Sequence, residues 1–212
     1  TSYHKKNIDK GIALDSLSST KWKQKKDRAI KRSIDHAAEI LDIESRRQKS
    51  SSFSLRIDDK SLQEFNDEFP FTETHDQVVS FNSIQKDLSL IKPMNRVLCG
   101  DVGFGKTEVA MRAAYISAFS GKQVVLIVPS TILCDQHFNS FIKRFMNFPV
   151  SIKKLNRHTT LKNKKGIIND FNNHKIDILI TTHIIFNNEV EFQQTGLLII
   201  DEEHKFLSLI HI

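Results

Sequence analysis

Gly100-Asp101-Val102-Gly103-Phe104-Gly105-Lys106-Thr107 is the stretch on which the reading of this chain turns. It fits G-x-x-x-x-G-K-[ST] at every position, a pattern whose glycines let successive backbone N–H groups wrap closely around phosphate oxygens. Arg96–Cys99 reads as a short strand running into the loop. Lys106–Ser120 reads as a helix leaving it, with Val109, Ala110, Ala113, Ala114 and Ile116 on the inner side. Such a helix points its positive end at a bound anion. Lys106 is then placed to reach the β- and γ-phosphates of a nucleoside triphosphate, and the Thr107 hydroxyl to ligate Mg²⁺.

Downstream of the loop the apolar period alternates between strand and helix. Gln123–Val128, Val150–Leu155, Ile176–Ile180 and Leu197–Ile200 read as strands, and Ile132–Asn147 and Leu161–Asn172 as helices between them. Near-continuous apolar strands joined by crossover helices predict an α/β fold with a buried parallel sheet covered on both faces. The last strand delivers Asp201-Glu202-Glu203-His204 to its C-terminal end. In an enzyme built on a phosphate loop, that is where Mg²⁺ is held: Asp201 through water, with Glu202 orienting or deprotonating the attacking water.

Upstream, Val78, Phe81, Ile84, Gln85 and Leu88 are spaced for a helix over His75–Leu90. Leu62, Phe65 and Phe69 make one face of a shorter helix that Pro70 stops. Thr74 and Gln77 admit two readings. They form a helix cap, or Gln77 offers one donor and one acceptor to an adenine edge. Farther back, Trp22, Ala29, Ile30, Ile34, Ala37, Ala38, Leu41 and Ser45 recur at three- and four-residue steps, as on one face of a long helix. Lys23, Lys25, Lys26, Arg28, Lys31 and Arg32 crowd its first half, where positive charge opposes the helix dipole. A solvated basic face and a face for a partner both fit that crowding.

Length and composition bound these readings. The 212 residues suffice for one domain and an appendage. With 39% hydrophobic and 26% charged residues, a disordered or collagen-like chain is excluded. Residues 1–49 hold 13 Lys/Arg against 7 Asp/Glu, and the remainder 18 against 18. The formal charge of +6 therefore sits in a basic leader on a neutral body. That permits contact with nucleic acid without demanding it. Cys99 and Cys134 make no disulfide framework and match the usage of a reducing compartment. His75, His183 and His204 lack companions at zinc-ligand spacing. No apolar run reaches the roughly 20 residues that span a bilayer, so a cytoplasmic protein without a membrane partner is expected.

With these residues in place the chain resembles the bacterial transcription-repair coupling factors, superfamily 2 DNA translocases of the subgroup shared with the branch-migration helicase RecG. The loop continues as Glu108-Val109-Ala110-Met111-Arg112-Ala113-Ala114, and Phe104 with Glu108–Met111 favours the coupling factors over RecG. Val128-Pro129-Ser130-Thr131 with Gln136 and His137 is similar to the motif that lines the DNA path in relatives. Ile178–His183 is similar to an Ile-Gly-Thr-His segment, with Thr181 in place of the usual glycine. Asp201–Phe206 resembles the Walker B box, with Lys205 for a common arginine. Phe69-Pro70-Phe71 through Thr74 and Gln77 resembles the adenine-reading motif, and Leu17–Ser19, Trp22 and Leu41–Ile43 the linker helix.

The resemblance implies a polar tail over residues 1–20, a basic linker helix over 21–49, and a P-loop, RecA-like first helicase lobe over 50–212 with its C-terminal part incomplete. It implies ATP and Mg²⁺ as cofactors, with catalytic roles for Lys106, Asp201 and Glu202. It implies double-stranded DNA, RNA polymerase and the excision-repair machinery as partners of the intact family member. The second lobe, with its arginine fingers, lies outside this resemblance, so ATP binding with very slow hydrolysis is expected here. A RecG-like branch-migration fragment is one alternative. A degenerate, non-enzymatic remnant binding DNA or polymerase is another.

Overall fold

The computed structural model describes residues 20–187 and 189–202. The chain divides after Ser50 into two compact units. The first unit contains α1 (Thr20–Lys49), a single helix of 30 residues. No acidic residue occupies its first turn, whereas Arg46, Arg47 and Lys49 complement the dipole in its last. Arg46 also pairs with Asp42 one turn back at 2.6 Å. The tail expected before it lies outside the described residues.

The second unit begins at Ser51. Its elements run α2 (Asp59–Asp67), α3 (His75–Leu88), α4 (Lys106–Phe119), β1 (Gln123–Ile127), α5 (Thr131–Arg144), β2 (Ile152–Leu155), α6 (Leu161–Asn172), β3 (Ile178–Thr181), a 3₁₀ turn (His183–Asn187) and β4 (Thr195–Ile200). Side-chain caps start most of these helices. Asp58, Ser130 and Thr160 accept from the N–H three residues on, while Thr74 and Gln77 form a reciprocal capping box.

The four strands are parallel in the order β2-β3-β1-β4. Ile127 is in register with Thr181 and Ile200, and Thr181 with Leu155, so all four strands end at one level. Alternation along β1 and β3 sorts the core. Val124, Leu126, Val128, Ile178 and Ile180 pack with residues of α2–α5. Val125, Ile127 and Leu179 face a second cluster with Phe171 and Ile185. The α/β architecture with a parallel sheet is therefore as read from the sequence, and α6 has the predicted bounds.

One expected element is missing. Arg96–Cys99 forms no strand. Arg96 Nε donates to Asp87 Oδ2 at 2.7 Å, which ties the segment to the end of α3, and Val97 is 77% exposed. A strand exists only through a ladder partner, and the one strand paired to β4 among the described residues is β1. At this edge Leu198 and Ile200 of β4 are exposed, while β1 and β3 are covered on both faces. Smaller differences concern Phe69 and Leu90, which lie beyond the ends of α2 and α3.

Candidate functional site

In open parallel sheets, ligands are received at the carboxyl ends of the strands. Asp201 follows β4 at that end, and its backbone N–H donates to Ile127 C=O at 2.9 Å, extending the ladder by one residue. Glu202 follows at a φ of 52°, a left-handed conformation uncommon for a residue with a side chain.

The loop Gly100–Gly105 ends at the N-terminus of α4. Gly103 and Gly105 take φ of 88° and 71°, which only glycine adopts without cost. Gly105 is the N-cap and supplies no side-chain acceptor, so the N-terminus of α4 has no side-chain cap. Val102 and Phe104 are exposed beside them. The Lys106 ammonium folds back on the loop, donating to Gly100 C=O at 2.5 Å and Asp101 C=O at 2.8 Å. Thr107 follows, half-buried in the first turn.

Gln77, whose capping-box partner is Thr74, meets this loop. Gln77 Oε1 accepts from the Thr74 N–H at 2.9 Å, and its amide Nε2 donates to Phe104 C=O at 2.9 Å. A Cβ on Gly105 would stand 2.2 Å from Gln77 Nε2, so the glycine also makes room for the glutamine. The cap and the loop contact coexist, and one amide hydrogen of Gln77 remains for a further acceptor.

His137 of α5 joins Asp201, with Nε2 and Oδ2 3.0 Å apart. That hydrogen bond holds the Asp201 carboxyl below the usual carboxylate range. The charges of His137 and Lys106 act in the same direction, and partial burial opposes them. The carboxylate is thus ionised and within the field of the loop lysine. Among the described residues no three His, Cys, Asp or Glu side chains converge. The Thr107 hydroxyl and the Asp201 carboxylate are oxygen donors of the kind that suit Mg²⁺. The glycine loop, the helix end without a side-chain cap, the Lys106 ammonium and the ionised Asp201 carboxylate fit an Mg²⁺–nucleoside triphosphate.

A buried charged set adjoins the site and escapes sequence reading. Glu108 Oε1 accepts from Arg112 Nε at 3.0 Å and from an Arg144 terminal nitrogen at 2.9 Å. Arg112 also pairs with Glu73, and Arg144 donates to Phe65 C=O at 2.7 Å. The Glu108–Arg112 spacing of four on a helix was the one visible signal. The other members come from distant segments. His137 was visible as part of a motif, but not as the partner of Asp201.

Comparison with known proteins agrees with this geometry. The sequence profile of the DEAD/DEAH box helicases matches residues 74–210. Over 198 residues the chain is 42% identical to the transcription-repair-coupling factor of Haemophilus influenzae and 41% identical to that of Escherichia coli. Each alignment covers 93% of this chain, but the chain spans only 17% of either relative. The structure of RecG bound to a three-way DNA junction superposes with a TM-score of 0.73 at 36% identity, covering 78% of this chain and 23% of that one. A hypothetical ATP-dependent RNA helicase from Sulfolobus tokodaii, 15% identical, shares the fold over 72% of this chain and 44% of its own, with a TM-score of 0.54. No helix among the described residues is long and apolar enough to cross a membrane. The motifs that met at the sheet edge thus lie within one continuous family match, and the chain belongs to the DEAD/DEAH box helicases, similar among them to the superfamily 2 translocases of the coupling-factor and RecG kind.

Proposed function

We propose that this chain is an ATP-binding motor lobe of an ATP-dependent double-stranded DNA translocase. The process it serves is transcription-coupled excision repair, where RNA polymerase and the excision machinery are its partners. The observation that carries the ATP reading is the loop itself: open glycines at positive φ, an uncapped helix end, and Lys106 within the field of Asp201. Sequence similarity to the coupling factors supports the cellular role.

In this reading Gly100–Gly105 wrap the phosphates with backbone N–H groups, and Lys106 pairs with the outer ones. A triphosphate draws the ammonium off two neutral carbonyls onto anionic oxygens, an exchange toward the stronger, charge-assisted bond. Thr107 and Asp201 are the residues that would hold Mg²⁺, which when bound neutralises phosphate charge. His137 keeps the Asp201 carboxylate oriented and ionised. Glu202 orients a water, and Gln77 reads the adenine edge. Residues 21–49 form the basic linker of the lobe that follows them.

Titration calorimetry in Mg²⁺ buffer tests this. Lys106→Ala is expected to lower ATP affinity about 10- to 100-fold, the scale of a charge-assisted bond. Equal binding by both proteins overturns the reading. The RecG superposition favours a second reading, a branch-migration motor. Preference for a three-way junction over linear duplex of equal length would support it against the coupling-factor role.

A further inference from the structure

The buried charge beside the phosphate loop has no part in the chemistry above. The Arg112 side chain is 3% exposed, Arg144 9% and Glu108 11%, whereas Glu73 forms the open edge at 33%. Two guanidiniums and two carboxylates make a neutral set. Well-packed apolar side chains hold helices together at least as well as buried ion pairs do. What directional ionic contacts add is orientation, because a guanidinium fork accepts partners only in its own plane.

Arg112 spends that directionality on the approach to α3. Its guanidinium lies 5.4 Å from the Phe69 ring centre and 5.5 Å from that of Phe81, and it pairs with Glu73. Glu73 directly precedes Thr74, the N-cap of α3, and Gln77 stands in the first turn. The start of α3 is therefore attached to the phosphate-loop assembly twice. One attachment is Gln77 to Phe104 C=O. The other is Glu73 to Arg112, six residues along α4 from Lys106 and so about 9 Å down its axis. One attachment leaves a pivot, whereas two at that separation fix a direction. Glu108 completes the frame by holding Arg112 Nε from the same helix and tying α5 in through Arg144.

We propose that Arg112 and Glu73 are positioning residues for base recognition, holding the first turn of α3 so that Gln77 meets the adenine edge while the phosphates lie in the loop. This rests on the adenine role of Gln77. Glu73 is the informative residue to change. It is half-open to water, and its removal leaves Arg112 paired with Glu108.

The full 212-residue chain is titrated in Mg²⁺ buffer with ATP, GTP and inorganic tripolyphosphate. Wild type is expected to prefer ATP over GTP, and Gln77→Ala to abolish that preference. Glu73→Ala is expected to lower ATP affinity about ten-fold, as for loss of one hydrogen bond to a charged group, with GTP and tripolyphosphate changed by less than about two-fold. Glu73→Gln still accepts from Arg112 and is expected to restore most of the preference. If Gln77→Ala loses the preference but Glu73→Ala keeps it, the positioning role alone is overturned. An equal loss toward all three ligands also overturns it, because the pair then serves only the fold. No preference in wild type, or none lost in Gln77→Ala, overturns the adenine reading and this inference with it. Should Glu73→Ala fail to fold, Arg112→Lys, which keeps the charge without the fork, is read by the same three titrations.

Discussion

The first two turns of α4 carry two polar constructions of opposite kind. At its N-terminus the phosphate loop is open, with Val102 98% and Phe104 63% exposed. Within the same two turns, Glu108 and Arg112 have buried side chains, and their partners arrive from α5 and from Glu73. The loop needs a conformation, so its demand falls on consecutive residues: glycine where φ is positive, lysine and threonine where the helix begins. The cluster needs neighbours, so its demand falls on the fold. Open and glycine-built, the first construction can be remade by a ligand; closed and charge-built, the second holds the elements around it.

If that contrast is right, damage to the cluster lowers stability and damage to the loop mainly lowers binding. The largest stability effect is expected from Glu108→Ala, which leaves Arg144 and Arg112 without their shared carboxylate. Breaking a buried pair in this way costs about 3–5 kcal/mol, readable as a lower denaturant midpoint. A midpoint within error of wild type would break the contrast. Gly105→Ala comes next. A side chain at φ 71° and the displacement of Gln77 together cost about 2 kcal/mol, and ATP affinity falls as well. Gly103→Ala has the same positive-φ penalty but no atom within 4 Å of the new Cβ, so about 1 kcal/mol is expected. Equal losses at the two glycines would remove the assigned role of the Gln77 contact. The smallest effect at neutral pH belongs to Tyr115→Phe, about 0.5–1 kcal/mol for the hydrogen bond to Ser61 C=O.

Tyr115 also supplies a pH test of the closed region. It stacks on Phe65 with ring centres 4.1 Å apart, and burial pushes its phenol up to about 12. The folded chain then keeps a proton that the unfolded chain releases near pH 10. Its contribution is whole below pH 10 and lost as pH rises toward 12. Urea midpoints measured from pH 9 upward should fall in wild type and fall less in Tyr115→Phe. Parallel curves would show that the phenol is not desolvated.

Particular residues show what was legible in the sequence. Helix α6 and the strand cores were readable, since an apolar run between turn signals needs only its own periodicity. Strand edges were not. Val150 reads as strand, but the ladder starts at Ile152 because the Ser151 N–H is taken by the Asp177 carboxylate at 2.7 Å. Arg96–Cys99 has a strand's composition and no partner, which composition does not reveal. The pattern of helix α4 reads as one-sided, yet Met111, Arg112 and Tyr115 are buried too, because other elements pack around it.

The sequence by itself determined the phosphate loop, the carboxylate at the end of β4, the cap at Thr74 and the α/β class. Each of these depends on a few neighbouring residues whose backbone or hydrogen-bonding needs are local. Tertiary structure alone decided that His137 meets Asp201, that Gln77 serves both the cap and the loop, and that Glu73, Glu108, Arg112 and Arg144 share one buried site. Apart from the Thr74–Gln77 cap and the i,i+4 pair within α4, those contacts join residues 27 to 64 positions apart, and no local pattern encodes them. Burial lowers the local dielectric and turns an ordinary charge into one that must find its partner, and only the packed chain settles which partner is within reach.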